Sequence, residues 1–131
     1  MIARVLVIDD EPSVGLLLRL ALEDLDVQVT ATTSAWEGLW YLRQTAFDAI
    51  FLDGSLPDMG DDEVINRARA IRPAVPIVVM TAEPEHRARR PARVDGVLHK
   101  PFRLARLEES FRAACGRGAV HFQSGSEPSR L

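Results

Sequence analysis

Several features that define other classes of protein are scarce in this chain. It has one cysteine, Cys115, in 131 residues, so it cannot form an internal disulfide, and a single thiol fits a reducing compartment. No apolar run approaches the roughly 20 residues that a membrane-spanning helix needs. The N-terminus also lacks the pattern of a signal peptide. The sequence therefore predicts a soluble, cytoplasmic protein with no membrane segment.

A strong charge of one sign is also missing. The formal net charge is -3, which provides no general attraction for nucleic acid, and we expect no direct binding to DNA. The local exception is a basic segment that contains Arg87, Arg89, Arg90 and Arg93. This segment is either a solvated face or a docking surface for an acidic partner protein.

Apolar residues are plentiful enough for a core. They make up 47% of the chain, and the length is that of one compact domain. After Cys115 the composition changes to glycine, serine and proline, with too few apolar residues to offset the entropy lost on ordering. We therefore predict a folded domain over residues 1–115 and a disordered tail over residues 116–131.

Short apolar strands alternate with amphipathic helices along the chain, as in a repeated strand–helix unit. Strands are predicted at residues 4–8, 27–31, 49–52, 76–80 and 96–99. Helices are predicted at about 12–25, after Ser34, at 62–71, at 85–90 and at 104–114. Five such units imply a parallel sheet that is covered by helices on both faces, with right-handed crossovers.

Polar residues stand at the carboxyl ends of the predicted strands. Asp9 and Asp10 follow the first strand, and Asp53 follows the third. Thr81 follows the fourth strand, and Lys100 follows the fifth. Because the carboxyl ends of parallel strands open onto one edge of the sheet, we expect these side chains to meet in a single site.

The expected site has a clear chemistry. Two carboxylates about 4 to 6 Å apart repel each other by roughly 3 to 4 kcal/mol at an effective dielectric constant near 20, so three of them require a cation. Carboxylate oxygens favour a hard divalent ion such as Mg²⁺. Lys100 and Thr81 add a positive charge and a hydroxyl that can stabilise the oxygens of a transferring phosphoryl group. Asp53 is then the natural acceptor, because carboxylates can form aspartyl phosphates.

Four segments of the sequence together resemble the receiver domain of two-component response regulators. They are VLVIDDE at 5–11, DAIFLDGSLP at 48–57, PIVVMTA at 76–82 and LHKPF at 98–102. The similarity covers roughly residues 3–115. It implies a flavodoxin-like, doubly wound (βα)5 sandwich of three layers with the parallel strand order 2-1-3-4-5 and a site between strands one and three.

The resemblance implies roles for the acidic residues. Asp53 would accept a phosphoryl group from a histidine kinase or a phosphotransfer protein. Asp10, Asp53 and the backbone carbonyl of Ser55 would bind Mg²⁺, with Mn²⁺ as the alternative ion. Asp9 would act through metal-bound water.

The other strand ends also have implied roles. Thr81 would bond to a phosphoryl oxygen, and Lys100 would pair with the phosphate. Pro101 would fix the turn after Lys100, and the peptide bond between them is commonly cis in this family.

These features predict a phosphoacceptor module that signals by contact with an unknown downstream protein. It would not be an enzyme beyond taking a phosphoryl group from a donor and hydrolysing it. One alternative is a receiver-like interaction module that acts without phosphorylation. A second is a Mg²⁺-dependent phosphatase with an aspartyl nucleophile, but Ser55 stands where such enzymes carry a second aspartate as general acid.

Two departures from the family pattern concern the route of signalling. Val97 lies at the position of the usual aromatic switch residue, and a valine has no ring to swing. The stretch between Thr81 and Lys100 is also shorter than in the family, and Pro91 cannot continue a helix interior, so the fourth helix is predicted to be shortened or irregular. On the second helix, Trp36 and Trp40 are interpreted as packing residues, with an exposed partner patch as the alternative.

Overall fold

The structure, a computed structural model, describes residues 2–83 and 94–118. Its strands form one parallel sheet with the order β2-β1-β3-β4-β5, and their ranges are β1 Ala3–Ile8, β2 Val27–Thr32, β3 Ala49–Asp53, β4 Ile77–Thr81 and β5 Gly96–His99. The helices of the described ranges are α1 Pro12–Glu23, α2 Ala35–Gln44, α3 Asp61–Ile71 and α4 Leu104–Gly118. The predicted flavodoxin-like, doubly wound architecture with strand order 2-1-3-4-5 is confirmed.

Some predictions fall on residues that the structure does not describe. The fourth helix predicted at 85–90, the arginines of the basic segment and the tail from residue 119 onward all lie there. The predicted helix at 104–114 is present and continues to Gly118, so residues 116–118 belong to α4 and not to the predicted tail. A glycine costs a helix only about 1 kcal/mol, which does not force α4 to end at Gly116.

The end of α1 also differs from its prediction. The helix stops at Glu23 and does not reach Leu25. Asp26 has a φ of 60°, in the left-handed region that aspartate tolerates better than most residues. This turn leads the chain directly into β2. Within the described ranges, no helix is long and apolar enough to cross a bilayer.

Each face of the sheet carries its own core cluster. Leu6 and Ile50 belong to the cluster that includes buried residues of α2 and α3. Val7 and Phe51 belong to the cluster that includes buried residues of α1 and α4. Strands β3 and β4 are buried at every position, because their side chains meet helices on both faces. This two-sided burial explains their continuous apolar sequences.

The N-terminus of α2 is capped twice. The Ser34 hydroxyl accepts a hydrogen bond from the Glu37 N–H at 3.1 Å, as the spacing of these two residues predicts. The Asp58 carboxylate, from the loop between β3 and α3, accepts from the N–H groups of Ala35 at 3.0 Å and Trp36 at 3.3 Å. A carboxylate here also complements the positive end of the helix dipole. Asp58 therefore ties the loop after β3 to α2.

Two tryptophans of α2 point outward. Trp36 and Trp40 are 53% and 54% exposed, so their interpretation as packing residues was wrong, and both are exposed as in the alternative. The buried face of α2 is formed by smaller residues, including Leu39. The Arg67 guanidinium lies over the Trp36 ring, 4.9 Å from its centroid, and Trp40 makes an edge contact with Tyr41. Aromatic bulk alone did not indicate which side of the helix faces the sheet.

Gly15 lies where α1 closely approaches the sheet. It is buried, and a Cβ atom at this position would lie 2.7 Å from the Cβ atom of Ala31 in β2. The Ala31 Cβ is attached directly to the backbone, so it cannot move aside as the end of a long side chain could. The helix can pack at this distance only because residue 15 has no side chain.

We expect Gly15→Ala to lower the free energy of unfolding by about 1 to 3 kcal/mol, because overpacking outweighs the better helix propensity of alanine. Ala31→Gly should relieve the clash, so the double variant should recover part of that loss. Urea unfolding of the single and double variants gives the coupling energy. Gly116→Ala, whose Cβ would meet nothing within 4 Å, is the control and should not destabilise the protein. A coupling energy near zero would contradict this account.

Candidate functional site

The strand-end residues predicted from the sequence meet at one edge of the sheet. Asp9 follows β1, Asp53 ends β3 and Thr81 ends β4, and all three are at most 5% exposed. Asp10 is exposed beside them. One carboxylate oxygen from each of the three aspartates lies within 4.8 Å of the others. The parallel sheet thus brings together residues that are far apart in the sequence.

Lys100 places a positive charge beside this cluster. Its Nζ lies 2.8 Å from Asp9 Oδ2 and 3.7 Å from Asp53 Oδ1. Glu11 Oε1 lies 3.9 Å away, and sequence reasoning did not single out this residue although it directly follows the aspartate pair. Burial of Lys100 works against its charged form, but the hydrogen bond to Asp9 and the nearby carboxylates outweigh it, so the Lys100 pKa is raised. Lys100 is therefore charged at neutral pH.

Asp53 is a buried carboxylate whose charge is only partly compensated. Burial raises its pKa from 3.8 to about 6, against the effect of the hydrogen bond that its Oδ1 accepts from the Ser55 N–H at 3.0 Å. The Asp9 carboxylate also contributes to this increase in pKa, and Lys100 opposes it. Asp10 contributes through a side-chain hydrogen bond that also favours the protonated form. The cluster therefore holds more negative charge than Lys100 balances.

Backbone hydrogen bonds hold the surrounding loops in place. Asp9 Oδ1 accepts from the Glu11 N–H at 2.9 Å, which fixes the turn into α1. The Thr81 carbonyl accepts from the Lys100 N–H at 2.8 Å, so β4 and β5 deliver their site residues together. The Thr81 hydroxyl accepts from the Glu83 N–H at 3.0 Å. The peptide bond between Lys100 and Pro101 is cis, as the resemblance implies.

The structure also describes Ser55 and Val97, the two residues that bear on the choice between the alternative functions. Ser55, two residues after Asp53, is exposed. Val97 is partly buried in β5, where it pairs in register with Val79 of β4. It provides no polar atom beyond its backbone on this face of the sheet.

The donor set fits a hard divalent cation. The cluster offers only carboxylate oxygens, with no histidine or cysteine among its members. Such oxygens suit Mg²⁺ better than softer metals. The raised pKa of Asp53 is consistent with such an ion, because burial and the neighbouring Asp9 carboxylate both disfavour the charged form of Asp53. A cation beside Asp10 and Asp53, opposite Lys100, would supply that charge.

The raised pKa makes a prediction for Asp53→Asn in buffer with a chelator. The Asp53 pKa is higher in the folded state, so the contribution of this carboxyl to wild-type stability is lost as pH rises from about 4 to about 6. Asp53→Asn has no carboxyl group that titrates at this position. Its free energy of unfolding should therefore increase relative to that of wild type, over the same pH range, by at most about 3 kcal/mol. Denaturant unfolding across pH measures the difference. Parallel stability curves for the two proteins would contradict the prediction.

Comparison with known proteins supports the resemblance. The family model described as "Response regulator receiver domain" matches residues 5–112. The KDP operon transcriptional regulatory protein KdpE of Escherichia coli is 34% identical over 116 residues, which cover 86% of this chain and 51% of KdpE. The probable transcriptional regulatory protein TcrX of Mycobacterium tuberculosis is 28% identical over 94% of this chain and 54% of its own length. The chain thus spans about half the length of these regulators.

Solved structures agree with the fold. The Vibrio cholerae chemotaxis protein CheY4, crystallised at low pH, has a TM-score of 0.80 and 27% identity, and the match covers 87% of this chain and 99% of CheY4. The receiver domain of the Pseudomonas aeruginosa sensor histidine kinase PA1611, solved with a magnesium ion in its active site cleft, has a TM-score of 0.79 and 23% identity, covering 88% and 99% of the two chains. The chain matches the family model over residues 5–112 and has the strand order 2-1-3-4-5, so it belongs to the response regulator receiver domain family.

Proposed function

We propose that this chain is a phosphoacceptor module of a two-component system, phosphorylated on Asp53 by a histidine kinase or a phosphotransfer protein. The observation that carries this proposal is the placement of Asp53. It is buried, yet it lies 3.7 Å from the Lys100 amine and next to two further carboxylates. A carboxylate between a lysine and a cation-binding cluster is set up to take a phosphoryl group.

The residues that would hold Mg²⁺, or Mn²⁺ in its place, are Asp10, Asp53 and the backbone carbonyl of Ser55, with Asp9 acting through water. Such an ion, when bound, stabilises negative charge on phosphoryl oxygens as a Lewis acid. Asp9 is then shared between this site and Lys100, because its Oδ2 already accepts from the Lys100 amine at 2.8 Å. That contact keeps the lysine pointed toward Asp53.

Phosphoryl transfer would proceed by attack of an Asp53 carboxylate oxygen on phosphorus. The new oxygen–phosphorus bond forms as the bond from phosphorus to the donor's nitrogen or oxygen breaks, and the donor keeps the electron pair. Lys100 and the Thr81 hydroxyl then stabilise the phosphoryl oxygens. Since the Thr81 oxygen accepts from the Glu83 N–H, its own proton can be donated to the phosphoryl group.

We further propose that the module catalyses no reaction other than its own phosphorylation and dephosphorylation, in the cytoplasm, and passes the signal to a protein partner. A net charge of -3 gives it no general attraction for DNA. The partly buried Val97 favours one alternative, a receiver-like module that binds its partner without phosphate. Under that alternative, Asp53→Ala would leave partner binding unchanged.

We expect wild-type protein incubated with Mg²⁺ and acetyl phosphate to gain one phosphoryl group, detected by intact-protein mass spectrometry. Asp53→Asn should gain none, because it lacks the nucleophilic carboxylate. Asp48→Asn is the matched control and should be modified like wild type, since Asp48 lies at the opposite end of β3, where its carboxylate accepts from the Arg4 N–H. An unmodified wild-type protein would overturn the proposed function.

Lys100→Met should separate cation binding from phosphoryl transfer. Removing the amine relieves its competition for Asp9, so the affinity for Mg²⁺ should rise several-fold, as measured by calorimetry. Phosphorylation by the small donor should slow by about 10- to 1,000-fold, because a group that stabilises the transition state is lost. Arg67→Met, which removes a surface ion pair with Glu63, should change neither quantity. A parallel fall of affinity and rate would indicate that Lys100 acts only by holding the fold.

A further inference from the structure

His99 lies between two residues of the site. It is the last residue of β5, it directly precedes Lys100, and it pairs in register with Thr81 of β4. Its neighbour Leu98 belongs to the core cluster on the side of α1 and α4, whereas Val79 of β4 belongs to the cluster on the side of α2 and α3. Because side chains alternate along a strand, Thr81 and His99 share the second face.

The two side chains are close enough to interact. Neighbouring strands of a sheet lie about 4.8 Å apart, so an imidazole and a hydroxyl that are paired in register can form a hydrogen bond after a small side-chain rotation. The structure shows none between them, and the Thr81 hydroxyl accepts from Glu83 instead. A hydroxyl has two lone pairs, so this oxygen can accept a second hydrogen bond.

The His99 ring has a polar atom that needs a partner. Its Nδ1 is buried and has no hydrogen-bond partner within residues 2–83 and 94–118. Buried polar atoms in folded proteins are almost always paired, and each exception calls for an explanation. Val97, two residues earlier on the same face of β5, has no side-chain group that could serve. Thr81, which pairs with His99 across the sheet, carries a hydroxyl that could accept this hydrogen bond.

We propose that His99 is a positioning residue for Thr81, and that its Nδ1–H donates to Thr81 Oγ1 when Asp53 carries a phosphoryl group. With both lone pairs of Oγ1 occupied by the N–H groups of His99 and Glu83, the hydroxyl proton is directed toward the phosphoryl oxygen. The proposal rests on the proposed function, since the phosphoryl group is what draws on that proton. Through this hydrogen bond His99 would connect β5 to the site, which the side chain of Val97 cannot do.

The direct test is nitrogen NMR of protein labelled at its histidine side chains, with and without Mg²⁺ and beryllofluoride. Only three histidines are present, so the signals of His99 can be assigned by their loss in His99→Asn. We expect the Nδ1 resonance of His99 to shift when beryllofluoride binds, and its proton to exchange more slowly. In Thr81→Val, which removes the acceptor while keeping the shape, the shift should vanish even at saturating beryllofluoride.

A rate measurement tests the role independently. His99→Leu should slow phosphorylation by acetyl phosphate by about 2- to 10-fold, the effect of one lost hydrogen bond. His99→Asn places an amide nitrogen near the position of Nδ1 and should retain most of the wild-type rate. Val97→Ile changes volume on the same face without changing hydrogen bonding and should leave the rate unaltered. Equal slowing in the leucine and asparagine variants would reduce His99 to a packing residue and overturn the proposal.

Fluorine NMR of bound beryllofluoride separates this proposal from the one on which it rests. Bound beryllofluoride with an unshifted His99 would overturn the role of His99 and leave the phosphoacceptor function intact. Absence of both beryllofluoride binding and phosphorylation would overturn the two together. Should His99→Leu fail to fold, the NMR comparison of wild type with Thr81→Val still decides the question.

Discussion

The contact between Lys100 and Asp9 is the interaction on which the site depends. It joins loops that follow β1 and β5, two strands separated in the sheet by β3 and β4. The Lys100 side chain therefore reaches across the ends of both intervening strands and passes close to Asp53 on the way. Since the Asp9 side chain is fully buried, losing the lysine would leave an uncompensated charge, which is costly in a protein interior. The pairing thus holds the loops together and fixes a cation beside the proposed acceptor.

Other long-range polar contacts tie together the framework around this pair. Asp58 binds the loop after β3 to the start of α2 through two backbone N–H groups. At the opposite edge of the sheet, where the strands begin, the Asp95 carboxylate accepts from the Ile77 N–H at 2.8 Å and from Arg69 at 3.0 Å. These bonds connect α3 and β4 with the residue that precedes β5. These contacts hold the loops against neighbouring helices and strands, so the geometry of the site depends on the whole sheet.

The sequence predicted the convergence of the strand-end residues better than it predicted the surface, and the physical reason is the parallel sheet. Strand ends can be located from short apolar runs, and the topology then requires Asp9, Asp53 and Lys100 to converge. No such rule determines which side of α2 carries its tryptophans, and Trp36 and Trp40 proved to be exposed. Bulk and spacing are the same on either side of a helix, and only packing against the sheet distinguishes them.

Contacts between distant residues were the other features that sequence reasoning missed. Nothing in the neighbourhood of Asp58 indicates that it caps a helix that begins 23 positions earlier in the chain. The turn between α1 and β2 contains a positive φ at Asp26, and α4 continues through Gly116, which a helix tolerates at small cost. The pairing of His99 with Thr81 becomes visible only once the register of β4 and β5 is known.

The balance of charges in the site explains why the Thr81 hydroxyl is important. With its three aspartates ionised and Lys100 protonated, the cluster carries two excess negative charges, which one divalent cation would balance. In the proposed phosphorylated state the carboxylate is replaced by a group of about twice its charge, so the balance is lost again. Hydrogen-bond donors can then respond, and one of them is Thr81, whose buried hydroxyl lies at the end of β4, next to the strand that ends in Asp53. A residue that orients this hydroxyl therefore acts close to the change in charge. On β5 that residue is His99, because the Val97 side chain has no hydrogen-bond donor.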